Sequence, residues 1–272
     1  MKTLKTVLLK TKKRIFSELS GNNISRLKGE GSDFEEIRAY IHGDDRRKID
    51  WKNSAKMQSL YVRVYNETRE INVVIASLLN GNLEFGTQKK KKDLLIEICA
   101  ILGYSTIKNG DIFRGATLSI DKKQINSSSK KIFLLEEYLN ILSSQNLLNL
   151  KSDFTNDINY LKKYIKKKSL LFIISDFLDE IDLSTLSKKH EIVVIVVRDK
   201  FEESPILEGE INLIDPESGE EIETYLTKNM LKQYKREYIK NDNKLFTHLN
   251  HLGISYTKIY TNEDPFTKLM KI

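Results

Sequence analysis

Acidic and arginine side chains are concentrated in one stretch near the start of this 272-residue chain, from Gly29 to Glu70. Seven of the ten arginines lie between Arg14 and Arg69, whereas lysine supplies most of the 45 basic residues overall. Arginine presents a planar fork that binds a carboxylate through two parallel hydrogen bonds. The clustering therefore predicts a fixed, buried or half-buried salt-bridged network. Its candidate members are Arg38, Asp44, Asp45, Arg46, Arg47, Asp50 and the single tryptophan, Trp51.

The same stretch contains groups that a metal-dependent nuclease uses, namely two carboxylates that hold magnesium and a lysine that steadies the attacking water. Asp50 and Lys52, with Asp33 or Asp44 upstream, would supply those groups. The spacing is common, however, and a carboxylate near arginines is explained more simply as a salt-bridge partner. A nuclease therefore stays a secondary alternative, and we predict that the protein is not an enzyme.

Other catalytic motifs are missing from the sequence. It has no G-x-x-x-x-G-K-[ST] run, so the chain is not itself a P-loop ATPase, and no motif supports Ser-His-Asp or Cys-His catalysis. His248 and His251 are three residues apart on a predicted helix, but neither has a clear acidic or thiolate companion for binding a metal. We therefore predict no catalytic residue, no bound metal and no cofactor.

The elements that hold the arginine-rich stretch predict a small β-rich subdomain in residues 1–70. Apolar residues at helical spacing predict an amphipathic helix over residues 1–20. A short helix or turn is expected at residues 34–40, a tight turn at Gly43, and an alternating strand over residues 60–65.

After residue 70 the pattern changes to strands that alternate with helices, which predicts a second domain over residues 71–272. Near-continuous apolar strands are expected at residues 72–79, 170–174 and 192–197, with helices between them. Such strands are buried on both faces, so the predicted fold class is α/β with a doubly wound, mostly parallel sheet. Ligand sites in sheets of this kind lie at the carboxyl ends of the strands.

Two runs of the sequence resemble a known bacterial family. They are G-x-G-S-D-F-E-E-I-R-A-Y at residues 29–40 and G-D-D-R-R-K-I-D-W-K-N-S-A-K at residues 43–56, and the turn D-P-E-S-G at residues 215–219 follows the same pattern. The family is the one called domain of unknown function 58. The resemblance implies a von Willebrand A-like, Rossmann-like domain preceded by an arginine–aspartate cassette. Members of the family are typically encoded beside AAA+ ATPases of the MoxR type.

The resemblance also places the metal-binding motif of the von Willebrand A domain on this chain. The family pattern E-x-x-V-x-L-L-L-D-x-S-x-S-M-x-F-G aligns with residues 70–86, where Leu78 falls on the metal-binding aspartate and Asn80 and Asn82 fall on the serines. The later S-D-F element survives and places Asp176 on the second metal-site aspartate. Leucine cannot ligate a metal, and one aspartate with two amides is a poor magnesium site. The resemblance therefore implies a degenerate metal site.

Composition favours a protein of the cytoplasm. The longest apolar runs, residues 73–79 and 192–197, are too short to span a bilayer, the N-terminus lacks a signal-peptide pattern, and a lone cysteine, Cys99, suits a reducing compartment. The formal charge of +7 would suit nucleic-acid binding. Lysine runs at residues 89–92 and 162–168 are, however, predicted to be solvated helix faces.

Together these features predict a non-enzymatic scaffold or adaptor for protein interaction. The resemblance implies a MoxR-type AAA+ ATPase and other von Willebrand A-type proteins as partners, in the maturation or assembly of other proteins. A membrane partner is not expected and nucleic acid is disfavoured. A basic nucleic-acid-binding module is the first alternative and the metal-dependent nuclease the second.

Overall fold

The computed structural model describes residues 33–66 and 70–270, which form two compact units divided between Glu70 and Ile71. In the smaller unit, β1 (Asp33–Ala39) pairs antiparallel with β2 (Tyr61–Asn66), and helix α1 (Trp51–Met57) lies between them in sequence. The expected strand at residues 60–65 and the turn at Gly43 are confirmed. The helix expected over residues 1–20 lies outside the described residues.

The helix or turn expected at residues 34–40 is wrong, because this segment is strand β1. Its sequence, DFEEIRA, contains glutamate, arginine and alanine, which favour helices locally. Pairing with β2 overrides that preference, with a register shift between Phe34 and Glu36.

The larger unit is built on a six-stranded sheet in the order β10-β7-β6-β3-β4-β5. Its strands are β3 (Asn72–Leu78), β4 (Ile112–Leu118), β5 (Lys123–Ile125), β6 (Leu170–Ser175), β7 (Glu191–Arg198) and β10 (Ser255–Tyr260). All neighbours are parallel except β4 and β5. The predicted doubly wound, mostly parallel α/β fold is therefore confirmed.

Helices cover both faces of this sheet. They are α2 (Lys91–Lys108), α3 (Ile132–Ser144), α4 (Phe154–Tyr164), α5 (Ser184–Ser187), α6 (Lys200–Glu203), α7 (Lys228–His251) and α8 (Pro265–Leu269). Apolar residues of α4, α5 and α7 pack in one core with alternate residues of β3, β6 and β7. On the other face, α2 and α3 pack on β3 and β4. No helix among the described residues is both long and apolar enough to cross a bilayer.

A separate two-stranded hairpin, β8 (Gly209–Ile214) and β9 (Glu221–Leu226), follows α6. Its tip is the D-P-E-S-G turn, in which Asp215 accepts hydrogen bonds from the Glu217 amide at 2.9 Å and the Ser218 hydroxyl at 2.6 Å. The tip contacts the loop after β3 so closely that a Cβ on Gly81 would lie 2.2 Å from the Pro216 carbonyl oxygen. Glycine at position 81 therefore allows the hairpin tip to reach the carboxyl edge of the sheet.

Candidate functional site at the carboxyl edge of the sheet

The carboxyl ends of β3 and β6 lie side by side at the point where the strand order reverses. Chain connections leave this point in opposite directions, so a crevice forms there in doubly wound sheets and usually holds the ligand. The loops after β3 and β6 carry Asn80 and Asp176, which are both fully buried. The structure therefore brings these two candidate residues together at the carboxyl edge of the sheet.

The four residues aligned with the metal motif divide into three environments. Leu78 is fully buried in the apolar core. Asn80 donates from Nδ2 to Asp176 Oδ1 at 2.9 Å, whereas Asn82 donates to Glu217 Oε1 of the hairpin tip at 2.8 Å. The structure thus brings Asn80 and Asp176 together and directs Asn82 to another partner.

Lys91 provides the positive charge at this edge. Its Nζ lies 3.2 Å from Asp176 Oδ2 and 2.7 Å from Glu202 Oε1. The side chains of Lys91 and Asp176 are both 0% exposed, and that of Glu202 is 13% exposed. Burial raises the pKa of Glu202, and the nearby ammonium of Lys91 only partly offsets that effect. The result is a buried ion triad that connects α2, β6 and α6.

Without these carboxylates, placing Lys91 at this position would be unfavourable in free energy. It is the first residue of α2, where the partial positive charge of the helix dipole disfavours a cation. Removing an ammonium from water costs several kcal/mol unless opposite charges compensate. Asp176 and Glu202 therefore hold Lys91 inside the protein. Lys91 and Lys92 are buried, so the solvated helix face predicted for residues 89–92 is wrong at these two positions.

A strained backbone fixes the direction of Asp176. The next residue, Phe177, has a φ of 49°, in the left-handed region that a bulky side chain avoids. Such a conformation costs roughly 1–2 kcal/mol. The Phe177 ring is buried against the Phe154 ring, with ring centroids 5.8 Å apart, and this packing offsets the strain. The S-D-F element therefore turns sharply at the end of β6.

A second ion network continues from the end of β7. Arg198 is 1% exposed and donates from Nη2 to Asp242 Oδ1 of α7 at 2.8 Å, with its guanidinium 5.1 Å from the Tyr238 ring centroid. Lys258 of β10 joins Asp242 to Glu203 of α6. Opposite charges are thus paired across four elements, which ties the loop after β7 to α7 and β10.

Asp199, beside Arg198, is also fully buried, and both of its carboxylate oxygens accept hydrogen bonds within the protein. It accepts hydrogen bonds from the Thr87 amide, the Phe201 amide and the Thr261 hydroxyl. Burial pulls the pKa of Asp199 upward, but these hydrogen bonds outweigh it and leave the pKa below its usual range. Asp199 therefore anchors the loop that leads into α2.

The side chains at this edge pair with one another and are not arranged as a set of magnesium ligands in this structure. Magnesium requires near-octahedral oxygen ligands, yet Leu78 is apolar, the Asn80 amide nitrogen points at Asp176, and Lys91 contributes a positive charge. No group of three or more histidine, cysteine, aspartate or glutamate side chains within residues 33–66 and 70–270 could hold a metal ion.

The arginine–aspartate residues described in the smaller unit include two close pairs, Arg38–Asp44 and Arg63–Asp50, and a longer, exposed contact of 3.4 Å between Arg47 Nε and Asp45 Oδ1. Arg38 binds Asp44 through two hydrogen bonds of 2.8 Å, as its planar fork allows. Asp50 is 3% exposed and accepts from Arg63 Nε at 2.7 Å and from the Asn53 amide at 3.1 Å, which caps α1. These bonds hold the pKa of Asp50 well below its usual range.

The remaining candidates differ from the expected buried network. Asp45 caps a short 3₁₀ helix through the Arg47 amide, the Arg47 side chain is 92% exposed, and Arg46 is exposed. Trp51 is also exposed, at 67%. Local turn geometry and helix capping place these groups outward. Lys52 is exposed as well, and Asp50 is engaged by Arg63, so this unit offers no support for the nuclease constellation.

Sequence reasoning assigned no site role to Glu202 of the triad and misjudged Lys91. Lys91 belongs to a run of four lysines, which suggested a solvated face. The signal that could have identified it is its register, because positions 91, 94, 95 and 98 form one helical stripe whose other members are the buried Leu94, Leu95 and Ile98. A charged residue in phase with a buried stripe predicts a buried partner.

Comparison with known proteins gives the same family as the resemblance. The sequence model of the family described as "Protein of unknown function DUF58" matches residues 36–244. Uncharacterized proteins of Mycobacterium tuberculosis and Mycobacterium bovis are 26% identical over 226 residues, covering 79% of this chain and 70% of each relative.

Solved structures with a similar outline include BatB of Bacteroides thetaiotaomicron (TM-score 0.44, 10% identity), an aerotolerance-related membrane protein of Bacteroides fragilis (0.42, 14%) and the SpRpn10 VWA domain (0.41, 9%). Each comparison covers 74% of this chain and, respectively, 95%, 100% and 93% of the other chain. The family pattern itself spans well over half of the sequence. This chain therefore belongs to the DUF58 family of proteins of unknown function.

Proposed function

We propose that this protein is a non-enzymatic interaction scaffold or adaptor that works with a MoxR-type AAA+ ATPase in the maturation or assembly of other proteins. Family membership supports the choice of ATPase, because the resemblance described above implies gene neighbourhood with such enzymes. The observation that carries the interaction role is the exposed apolar surface of the β8–β9 hairpin.

Leu213 and Ile222 lie directly opposite each other in this hairpin and are 47% and 59% exposed. Ile214 and Tyr225 are exposed on its other face, and Ile206 and Leu207 are exposed just before it. Contiguous exposed apolar surface often marks an interaction site on a soluble protein, and the cross-strand pair Leu213–Ile222 is the adjoining apolar surface of this hairpin. The hairpin is therefore the surface that we assign to partner binding.

The paired state of the carboxylates supports a non-catalytic role. Asp176 is engaged by Lys91, Asp199 by backbone amides and hydroxyls, and Asp50 by Arg63. Groups held in this way serve the geometry of the fold and are poor bases or metal ligands. A role without catalysis also fits partners that include other von Willebrand A-type proteins.

We also propose that the protein acts in the cytoplasm. Cys99 is fully buried beside the Ser77 and Tyr138 hydroxyls, and burial raises the pKa of its thiol to about 11. An inert thiol of this kind needs no oxidising compartment.

The test is affinity capture of the tagged protein from a native lysate in the presence of ATP or ADP, read by mass spectrometry. We expect an AAA+ ATPase to be recovered preferentially with one nucleotide. The double variant Leu213→Ser/Ile222→Ser should lose it, whereas Phe133→Ser should not, because Phe133 is an exposed apolar residue that lies on α3, outside the hairpin. Failure to recover an AAA+ ATPase, or equal recovery by the double variant, would overturn the proposal.

The nucleic-acid-binding alternative has one favourable observation, which is the basic surface of α7. Six basic residues of this helix are exposed: Lys228, Lys232, Lys235, Arg236, Lys240 and Lys244. Binding through such a surface would fall steeply with salt concentration, because counterions are released. Capture of nucleic-acid-associated proteins that disappears at moderate salt, with no ATPase, would favour this alternative.

A further inference from the structure

We infer that Lys91 is a built-in cation that takes the place of a divalent metal ion at the carboxyl edge of the sheet. This inference is independent of the proposed function, since it concerns the charge of the edge and not its partner. It also predicts that removing the ammonium group creates a divalent-cation site.

The first argument is the position of the ammonium group. Lys91 Nζ is within 3.2 Å of oxygens from Asp176 after β6 and Glu202 after β7. Two carboxylates from adjacent strand ends therefore converge on one point, and the positive charge at that point is covalently attached to the protein. A metal ion brought to the same point would be repelled by the ammonium and would have to displace it.

The second argument is that oxygen atoms remain unused around this point. Asn80 Oδ1 and Glu202 Oε2 are buried and have no hydrogen-bond partner among the described residues. Buried acceptors are normally satisfied, so these two atoms are spare oxygens on side chains that bond directly to Asp176 and to Lys91. Together with Asp176 Oδ2 and Glu202 Oε1 they offer oxygen donors that a hard cation accepts.

The third argument is the absence of a structural alternative for Lys91. A cation at the first position of a helix opposes the helix dipole, and complete burial removes its hydration. Lysine at this position is therefore explained by the carboxylates and not by α2 itself. Occupation by an internal ammonium makes the charge of this edge independent of the metal supply.

The experiment compares the wild-type protein with Lys91→Met and with the control Lys92→Met. Lys92 is also buried at the start of α2, but it binds Glu84 and the Gln145 carbonyl oxygen. Binding of Mn²⁺ is measured by electron paramagnetic resonance, and melting temperatures are recorded with EDTA or with millimolar Mg²⁺ or Mn²⁺.

We expect no stoichiometric Mn²⁺ binding and no cation-dependent melting shift for wild type and Lys92→Met. Lys91→Met should bind Mn²⁺ and regain several degrees of melting temperature with it, because a ligand of the folded state stabilises that state. Adding Asp176→Asn should abolish the gain. Stoichiometric Mn²⁺ binding by the wild-type protein would overturn the inference. If Lys91→Met fails to fold without added cation, its refolding yield is compared with and without Mn²⁺. A higher yield with Mn²⁺ supports the inference, and an unchanged yield refutes it.

Discussion

The Lys91–Asp176 ion pair should be energetically coupled, and a double-mutant cycle with Lys91→Met and Asp176→Asn measures that coupling. At their separation of 3.2 Å, two unit charges attract by about 5 kcal/mol at an effective dielectric constant of about 20. Most of this energy offsets the cost of burying both groups. We therefore expect a coupling free energy of about 2 kcal/mol between the two substitutions.

The single variants should differ in a way that the geometry dictates. Lys91→Met removes the ammonium that contacts both buried carboxylates, so its free energy of unfolding should fall by about 3–5 kcal/mol. Asp176→Asn leaves Lys91 with Glu202 at 2.7 Å, so the loss should be smaller, about 2–3 kcal/mol. The double variant should be less destabilised than the sum of the singles.

The assay is urea unfolding followed by far-ultraviolet circular dichroism. The single tryptophan, Trp51, belongs to the smaller unit, so its fluorescence reports on that unit and not on the sheet that holds Lys91. Additive effects, with a coupling below about 0.5 kcal/mol, would show that the pair is not the source of stability at this edge. Loss of less than about 1 kcal/mol in Lys91→Met would refute the assignment of Lys91 as a required cation.

Three further predictions follow from individual contacts. Gly81→Ala should destabilise the larger unit by about 1–3 kcal/mol, because its Cβ would meet the Pro216 backbone at 2.2 Å; wild-type urea unfolding would contradict this. Burial, and after it the nearby carboxylates, raises the pKa of Glu217 to about 7. The folded state therefore loses stability as pH rises from about 4.5 to 7, and above pH 7 the free energy of unfolding of Glu217→Gln should exceed that of wild type by about 1 kcal/mol after discounting for partial solvent exposure. A difference between the two proteins that does not change with pH would contradict this prediction. Arg63→Lys should lower the melting temperature of the smaller unit, because a single ammonium replaces the guanidinium whose Nε reaches Asp50 at 2.7 Å. Trp51 fluorescence follows this transition, and an unchanged melting temperature would show that the guanidinium of Arg63 is dispensable.

Hydrophobic pattern was enough to predict the larger unit. The strands at 72–79, 170–174 and 192–197 are apolar on nearly every residue because helices cover both faces of the sheet. Strand β1 was missed because its preference is set by pairing with a partner 22 or more residues away. Strand β5 has only three residues, all half-buried, and so short a segment has no hydrophobic pattern that distinguishes it from a loop.

For the candidate site, the sequence by itself determined which side chains lie at this edge and that Leu78 cannot bind a metal there. Position in the strand pattern placed Leu78, Asn80 and Asp176 at neighbouring strand ends, and side-chain chemistry excluded leucine as a ligand. The cation was decided only by the tertiary structure. A lysine has the same sequence signature on a solvated face and in a buried ion triad, and the difference lies in two carboxylates 85 and 111 residues away that folding brings to its ammonium group.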